Sequence, residues 1–255
     1  MAAPDEHTHE LLEQGDIFFF FRPTVNEDDP EGLNDVQNFG FVLRADGGSN
    51  VRLMLVGRKR MPDTDEHERH WGMVDAVLDS AKEIEPSLRE DHYDTKTRGE
   101  QKQPAARPAG EGRYVISLED GQMHLSYALE LPKRRGDVQK ALRIPREASY
   151  AISVKNPDKG SPEYAGLQDE DKAEYPKSLQ EEFRDRRFDS ENLKLLDYEG
   201  AEFVLVGARR DPERAYDIDL EAEEAPDYEN ADTIRRLRMV KSRHPVAPLF
   251  EGNWD

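Results

Sequence analysis

The chain has 255 residues, with 55 Asp and Glu against 36 Lys and Arg, and its net charge is −19. It contains no cysteine, which excludes disulfides, thiolate zinc sites and cysteine nucleophiles. No apolar run approaches the ~20 residues of a membrane helix, and the N-terminal residues lack the pattern of a signal peptide. We therefore expect a soluble, cytoplasmic protein without a membrane partner. Because the carboxylates are spread over most of the chain, their number favours adaptation to a salt-rich host.

The first third of the chain predicts strands followed by one helix. Residues 1–15 are polar and are expected to form a disordered arm. Residues 16–23 are apolar on both faces, which is typical of a central strand. Residues 39–57 flank an Asp-Gly pair that favours the tight turn of a hairpin. Residues 65–85 predict a helix, because apolar side chains recur at three- and four-residue spacing: Trp71, Val74, Leu78 and Ala81.

The middle of the chain combines a basic segment with the clearest hairpin. Residues 96–112 are rich in Pro and Gly, which predicts a loop rather than a helix or a central strand. Residues 113–131 alternate on both sides of Asp120 and Gly121, again the turn chemistry of a hairpin. Farther along, the sequence predicts strands at 149–155 and 201–207 and helical segments at 136–145, 176–188 and 234–240.

These elements show no regular alternation of strand and helix. They predict an α+β fold with hairpin-rich, largely antiparallel sheets and a few flanking helices. The expected organisation has two α+β parts joined by a basic loop. Its boundaries are 1–15 for the arm, 16–95 for the first part, 96–112 for the loop, 113–210 for the second part, and 211–255 for an acidic segment with a C-terminal basic helix.

Positive charge is concentrated in the middle of the chain. Residues 96–160 carry 13 Lys and Arg against 8 Asp and Glu, whereas both flanking regions are acidic. Arginine suits anion binding because its planar guanidinium contacts two oxygens of one phosphate or carboxylate. If the basic loops meet at one sheet edge, they form a positive concavity for an anionic ligand. The residues predicted to bind this ligand are Arg98, Lys102, Arg107, Arg113 and Arg134.

Two features qualify that prediction. Arg135, Arg143 and Arg146 extend the basic region beyond the second hairpin, so the concavity could include them. The opposing interpretation is that the cations pair with the protein's own carboxylates, since runs of surface charge are usually solvated or internally neutralised.

Two histidines give a weaker signal for a metal. His67 and His70 lie one turn apart in the predicted helix, a spacing that can place two imidazoles on one metal ion. The sequence offers no third ligand, and the H-E-x-x-H pattern of zinc enzymes is absent. No metal and no cofactor are therefore assigned.

The sequence favours a non-enzymatic binding protein for an anion, either a phosphate-bearing small molecule or a nucleic-acid end. Extended nucleic acid is disfavoured because a net charge of −19 opposes the general attraction to phosphate. One alternative is a metal-assisted phosphoester hydrolase that uses His67 and His70. Another is an acidic interaction module, in which residues 211–232, with ten carboxylates and one arginine, bind a basic protein partner.

Overall fold

The computed structural model describes residues 9–48, 50–97, 99–162, 165–209, 212, 220, 222 and 225–254. The strands are β1 (His9–Pro23), β2 (Val36–Ala45), β3 (Val51–Val56), β4 (Arg69–Leu78), β5 (Asp91–Thr95), β6 (Gly99–Gln103), β7 (Arg107–Glu119), β8 (Gln122–Leu131), β9 (Glu147–Lys155), β10 (Phe188–Asp189) and β11 (Glu202–Arg209). The α-helices are short: α1 (Glu85–Leu88), α2 (Asp137–Ala141), α3 (Lys177–Glu181), α4 (Asp232–Arg235) and α5 (Ala247–Phe250). Single 3-10 turns occur at Leu33–Asp35, Ala81–Glu83, Asp169–Asp171 and Leu193–Leu196.

Eight strands form a closed antiparallel barrel in the order β1, β2, β3, β4, β11, β9, β8 and β7, and β7 pairs with β1 to complete the circle. β10 extends the edge of β9 beyond the point where β8 starts, and β5 with β6 makes a separate two-stranded sheet. The predicted α+β fold is therefore wrong, because the chain folds as a mostly-β barrel and its helices are single turns in the connections.

β1 uses its apolar sequence on both faces. Phe19 and Phe21 belong to the interior core of the barrel, whereas Phe18 and Phe20 lie in a second apolar cluster on the outside. That outer cluster is covered by residues 81–88 and by part of the C-terminal region. The prediction of a strand buried on both sides is confirmed for 16–23.

Both predicted hairpins are confirmed. β2 pairs with β3 across the first Asp-Gly turn, where Gly47 has φ of 65°. β7 pairs with β8 across the second, where Asp120 and Gly121 have φ of 49° and 77°. Consecutive residues in the left-handed region match the twist of the strands that they connect. The turn residues and the alternation of apolar and polar side chains therefore predicted these parts of the barrel correctly.

The helix predicted at 65–85 is wrong, because its centre is β4, which pairs with β3 and β11. β4 carries apolar side chains on both faces, and a register irregularity opposite Leu53 and Met54 shifts the alternation partway along. Trp71 and Val74 thus face opposite sides of the barrel wall. Doubly apolar strands of this kind imitate the three- and four-residue spacing of a helix.

The loop predicted at 96–112 is also wrong, since this segment forms β6 and the start of β7. Pro108 is tolerated because β7 pairs there with β1 alone, and its pairing with β8 begins at Glu111. Gly112 is required by close strand contact: a Cβ at this position would lie 2.0 Å from the carbonyl oxygen of Ala128. Pro108 and Gly112 therefore lie in a strand of the barrel wall and not in a flexible loop.

Of the remaining predictions, those of strands are confirmed and those of longer helices are wrong. The predicted strands at 149–155 and 201–207 are confirmed as β9 and β11. β1 begins at His9, inside the predicted arm, and residues 1–8 lie outside the described residues. Of the predicted helices, only the single turns α2, α3 and α4 form. No helix within the described residues is both long and apolar enough to cross a membrane.

Candidate functional site

Two residues of the predicted anion site line one cavity of about 360 Å³, namely Lys102 and Arg107. Lys102 in β6 forms ion pairs with Asp28 at 2.7 Å and Glu90 at 3.3 Å. Arg107 in β7 is only 4% exposed and donates to the backbone carbonyls of Trp254 and Asp28. Both cations therefore already bind Asp28, and Arg107 also binds the C-terminal region at Trp254.

The other predicted ligands lie elsewhere. Arg113 is held between two carboxylates, with Asp16 at 2.5 Å and Asp46 also in contact. Arg134 is exposed in the turn after β8, and neither residue lines the cavity of Lys102 and Arg107. Arg98 lies outside the described residues. The structure thus brings together two of the five predicted residues, and their binding of an anion stays a prediction.

The two histidines of the metal hypothesis hold backbone carbonyls. His67 Nδ1 lies 2.9 Å from the carbonyl oxygen of Gly207, in a turn where its φ is 48°. His70 in β4 is buried, with Nδ1 2.8 Å from the carbonyl oxygen of Arg60 and Nε2 3.2 Å from Glu68 Oε1. The argument from helical spacing fails because β4 is a strand. The described residues contain no group of three or more His, Asp or Glu side chains arranged to hold a metal ion.

The acidic interaction segment, residues 211–232, is described in part. Half of its residues lie outside the described residues. Its last two described residues belong to the barrel, since Ala231 is buried beside Leu131 and the backbone N–H of Asp232 donates to Glu111 at 3.1 Å. The interaction of this segment with a basic protein stays a prediction.

A cavity of about 530 Å³ lies on the outer face of β3 and β4, and we call it the basic groove. Its floor is apolar, formed by Leu55, Met73 and Trp71. Leu55 and Met73 are directly paired across the two strands, and Trp71 lies two residues from Met73 on the same face. Trp71 also packs against Phe188, with 5.9 Å between the ring centroids. The alternation of β3 and β4 therefore builds a flat, half-buried apolar surface.

Three cations surround this floor, because the strand ends that flank it are basic. Arg58 and Lys59 follow β3, and Arg69 begins β4. Arg58 is 64% exposed, and its nearest carboxylate in the described chain is Glu68 at 3.9 Å. Lys59 Nζ donates to the carbonyl of Val36, while Arg69 has no ion pair within 4.0 Å among the described residues. The guanidinium donors of Arg58 and Arg69 therefore remain available at the rim.

The carboxylate that lines the basic groove is already neutralised. Glu202 in β11 is buried and lies 3.0 Å from Nζ of the equally buried Lys155. Its other oxygen accepts hydrogen bonds from Ser161 Oγ and from the backbone N–H of Leu167. This pair fixes Leu167, and with it one wall of the groove. The groove keeps a net positive charge in a chain whose net charge is −19.

The sequence argument missed this site. Arg58, Lys59 and Arg60 form a short basic run directly after a strand, but they lie in the acidic first third and not in the basic middle. Trp71 was assigned to the buried face of a helix. The sequence feature that could have indicated the site is a basic strand end close to an aromatic residue. It could be interpreted in this way only if β4 was recognised as a strand.

Comparisons of the chain with protein-family models, with curated proteins and with solved structures found no match. The chemistry of the basic groove is therefore the basis on which a function can be argued.

Proposed function

We propose that the chain is a non-enzymatic binding protein for a small anionic ligand, a phosphate-bearing molecule or a nucleic-acid end, and that the ligand lies in the basic groove. One observation carries this proposal: Arg58, Lys59 and Arg69 surround an apolar floor while the lining carboxylate Glu202 is paired with Lys155. A site of this composition combines a surface for a flat apolar group with cations for a charged end.

The size and the residue types of the groove narrow the ligand class. Cavities of about 300–1,000 Å³ accommodate small molecules and cofactors, and the basic groove measures about 530 Å³. Stacking of a nucleobase on an aromatic side chain contributes about 1–3 kcal/mol, and Trp71 supplies such a surface. The guanidinium groups of Arg58 and Arg69 can each contact two phosphate oxygens. A mononucleotide, or the terminal nucleotide of a strand, satisfies both halves of the site.

Calorimetric titration at low ionic strength tests the proposal, with adenosine monophosphate, adenosine and inorganic phosphate as separate probes. We expect the nucleotide to bind more tightly than adenosine or phosphate, because it engages the floor and the cations together. Arg69→Gln should weaken nucleotide binding about tenfold or more, since a hydrogen bond to a charged group contributes about 1.5–3 kcal/mol. Trp71→Leu should weaken the nucleotide and adenosine, and should leave phosphate unaffected.

Two control variants locate the effect. Lys177→Gln removes a side chain that is 90% exposed and distant from the groove lining, so it reports the general influence of net charge. Lys102→Gln tests the cavity favoured by the sequence. If Lys102→Gln weakens binding and Arg69→Gln does not, the basic groove is not the site. If the unmodified protein does not bind adenosine monophosphate at millimolar concentration, or binds it no more tightly than inorganic phosphate, the proposed function is wrong.

A further inference from the structure

A third cavity, of about 210 Å³, opens at the end of the barrel where β3 finishes and β4 starts. We call it the barrel mouth. Two arginines from different connections line it: Arg135, from the turn after β8, and Arg143, from the end of the α2 segment. Thr64 and the ring of the buried Tyr150 also line the cavity. The barrel mouth shares no lining residue with the basic groove.

Arg143 is held in place by its neighbours. Its backbone has φ of 53°, a left-handed conformation that is uncommon for a residue with a side chain. The Nη1 atom of Arg143 donates to Glu68 and lies 3.9 Å from Asp63. The Nη1 atom of Arg143 is therefore already engaged by a carboxylate, so a ligand at the barrel mouth would share this guanidinium with Glu68.

The carboxylates at the barrel mouth are outnumbered by cations. Glu68 is approached by Arg143, by His70 Nε2 at 3.2 Å, and by Arg60 and Arg58 at 3.8 and 3.9 Å. Arg135 has no ion pair within 4.0 Å in the described part of the chain. The lining of the cavity itself holds two arginines, Arg135 and Arg143, against one carboxylate, Asp63. Arg143 is bound to Glu68, whereas Arg135 lacks the internal neutralisation seen at Arg113.

Tyr150 gives the barrel mouth a rigid inner wall. Its ring stacks on that of Tyr127, with centroids 6.2 Å apart and planes inclined by 16°. Tyr127 packs in turn against Phe19, at 4.9 Å between centroids, so the wall is continuous with the interior core.

We infer that the barrel mouth binds a small tetrahedral oxyanion, such as phosphate or sulfate, between Arg135 and Arg143. This site is separate from the basic groove and is independent of the nucleotide proposal. Two arginine forks offer up to four N–H donors to one oxyanion, and the volume of about 210 Å³ suits a group of this size rather than a whole nucleotide. The oxyanion could be a free ion or the phosphoryl end of a larger ligand, and the same chemistry would recognise both.

Titration with inorganic phosphate, followed by calorimetry at low ionic strength and matched against chloride, tests the inference. Arg135 is exposed, so Arg135→Gln should leave the fold intact and weaken phosphate binding at least tenfold. Arg143→Gln should have a similar effect. Lys177→Gln, whose side chain is 90% exposed and lies outside the lining of the barrel mouth, should change phosphate affinity less than twofold.

Each outcome of these titrations either supports the oxyanion site at the barrel mouth or overturns it. If phosphate binds and only the variants of Arg135 and Arg143 lose it, the site exists even if no nucleotide binds in the basic groove. Competition by adenosine monophosphate that depends on Arg135 would identify the phosphoryl end of a larger ligand, and its absence would identify the free ion. No phosphate binding at 10 mM, or equal losses in Arg135→Gln and Lys177→Gln, would overturn the inference. Should Arg143→Gln unfold, Arg135→Gln still decides.

Discussion

The two ends of β3 carry arginines in opposite electrostatic settings. Arg52, near the start of the strand, is 1% exposed and lies between Glu13 and Asp197. Its Nε atom donates to Asp197 at 2.8 Å, and two further nitrogens donate to Glu13 at 2.6 and 3.0 Å. The hydroxyl of Tyr114 completes the cluster with a 2.7 Å hydrogen bond to Glu13. In this cluster Arg52, Glu13 and Asp197 all have directed hydrogen-bond partners.

The other end of β3 has the reverse balance. Arg58 and Arg60 follow the strand, and both lie at least 3.8 Å from their nearest carboxylate, Glu68, which is already bound to Arg143. Arginine paired with carboxylates stabilises one end of the barrel, whereas arginines far from carboxylates at the other end keep N–H donors that a ligand could use. The same residue type therefore has two roles, and the local count of carboxylates decides between them.

Replacement of Arg52 should give the largest effect. Arg52→Met keeps the volume but leaves Glu13 and Asp197 without a cation, and removal of one partner from a buried ion pair costs about 3–5 kcal/mol. Arg58→Met, at the exposed end of the same strand, should change the free energy of unfolding by less than about 0.5 kcal/mol. Urea unfolding of both variants checks the comparison, and equal losses would contradict it.

Glu111 shows what happens to a buried carboxylate that has hydrogen bonds but no cation. It accepts from the backbone N–H groups of Thr233 at 2.7 Å and Asp232 at 3.1 Å, yet burial raises its pKa to about 7. Because the folded pKa exceeds the unfolded one, the stabilising contribution of the bound proton is complete below about pH 4.5 and is lost as the pH rises through 7. The loss amounts to about 3 kcal/mol.

Glu111→Gln should remove this dependence. The stability of the variant minus that of the unmodified protein should therefore rise by about 3 kcal/mol between pH 4 and pH 8. Glu85 is the matched control, because hydrogen bonds from Arg89 and Arg243 lower its pKa to about 2. Its stabilisation is present above the unfolded pKa and lost as the pH falls, so Glu85→Gln should show the opposite slope. Chemical unfolding from about pH 2 to about pH 8 measures both, because Glu85 loses its stabilisation between about pH 4.5 and pH 2. Parallel slopes would show that cations do not govern these two carboxylates.

A smaller effect than at Arg52 or Glu111 is expected at Glu68. Neutralising it in Glu68→Gln removes a carboxylate from the basic end of the barrel and should cost about 1–2 kcal/mol, less than Arg52→Met, because Glu68 is partly solvated. The same change should tighten phosphate binding at the barrel mouth, since the carboxylate competes with the ligand for Arg143. A variant that is less stable and also binds phosphate more weakly would argue that Glu68 positions Arg143 for the anion.

Much of the barrel could be predicted where structure depends on neighbouring residues. The two Asp-Gly hairpins, the doubly apolar β1, and the strands β9 and β11 were all visible in the sequence. The errors arose in β4 and β7, where local patterns were ambiguous. β4 has apolar residues on both faces, so its spacing resembles that of a helix. β7 contains Pro and Gly at positions where its neighbouring strands allow or require them. No local sequence pattern reveals which strands those neighbours are.

The sequence by itself determined the composition, the strong negative charge, the turns and most of the strand alternation, because these depend on each residue and its close neighbours. Only the tertiary structure decided which cations are neutralised. Arg52 finds Asp197 at a separation of 145 positions, and Arg113 finds Asp16 at 97. Among the described residues, Arg58, in an acidic part of the sequence, lies 3.9 Å from its nearest carboxylate, and Arg69 has no ion pair within 4.0 Å. Charge in a folded chain is balanced through space over a few ångströms, so a surplus along the sequence need not be a surplus in the structure.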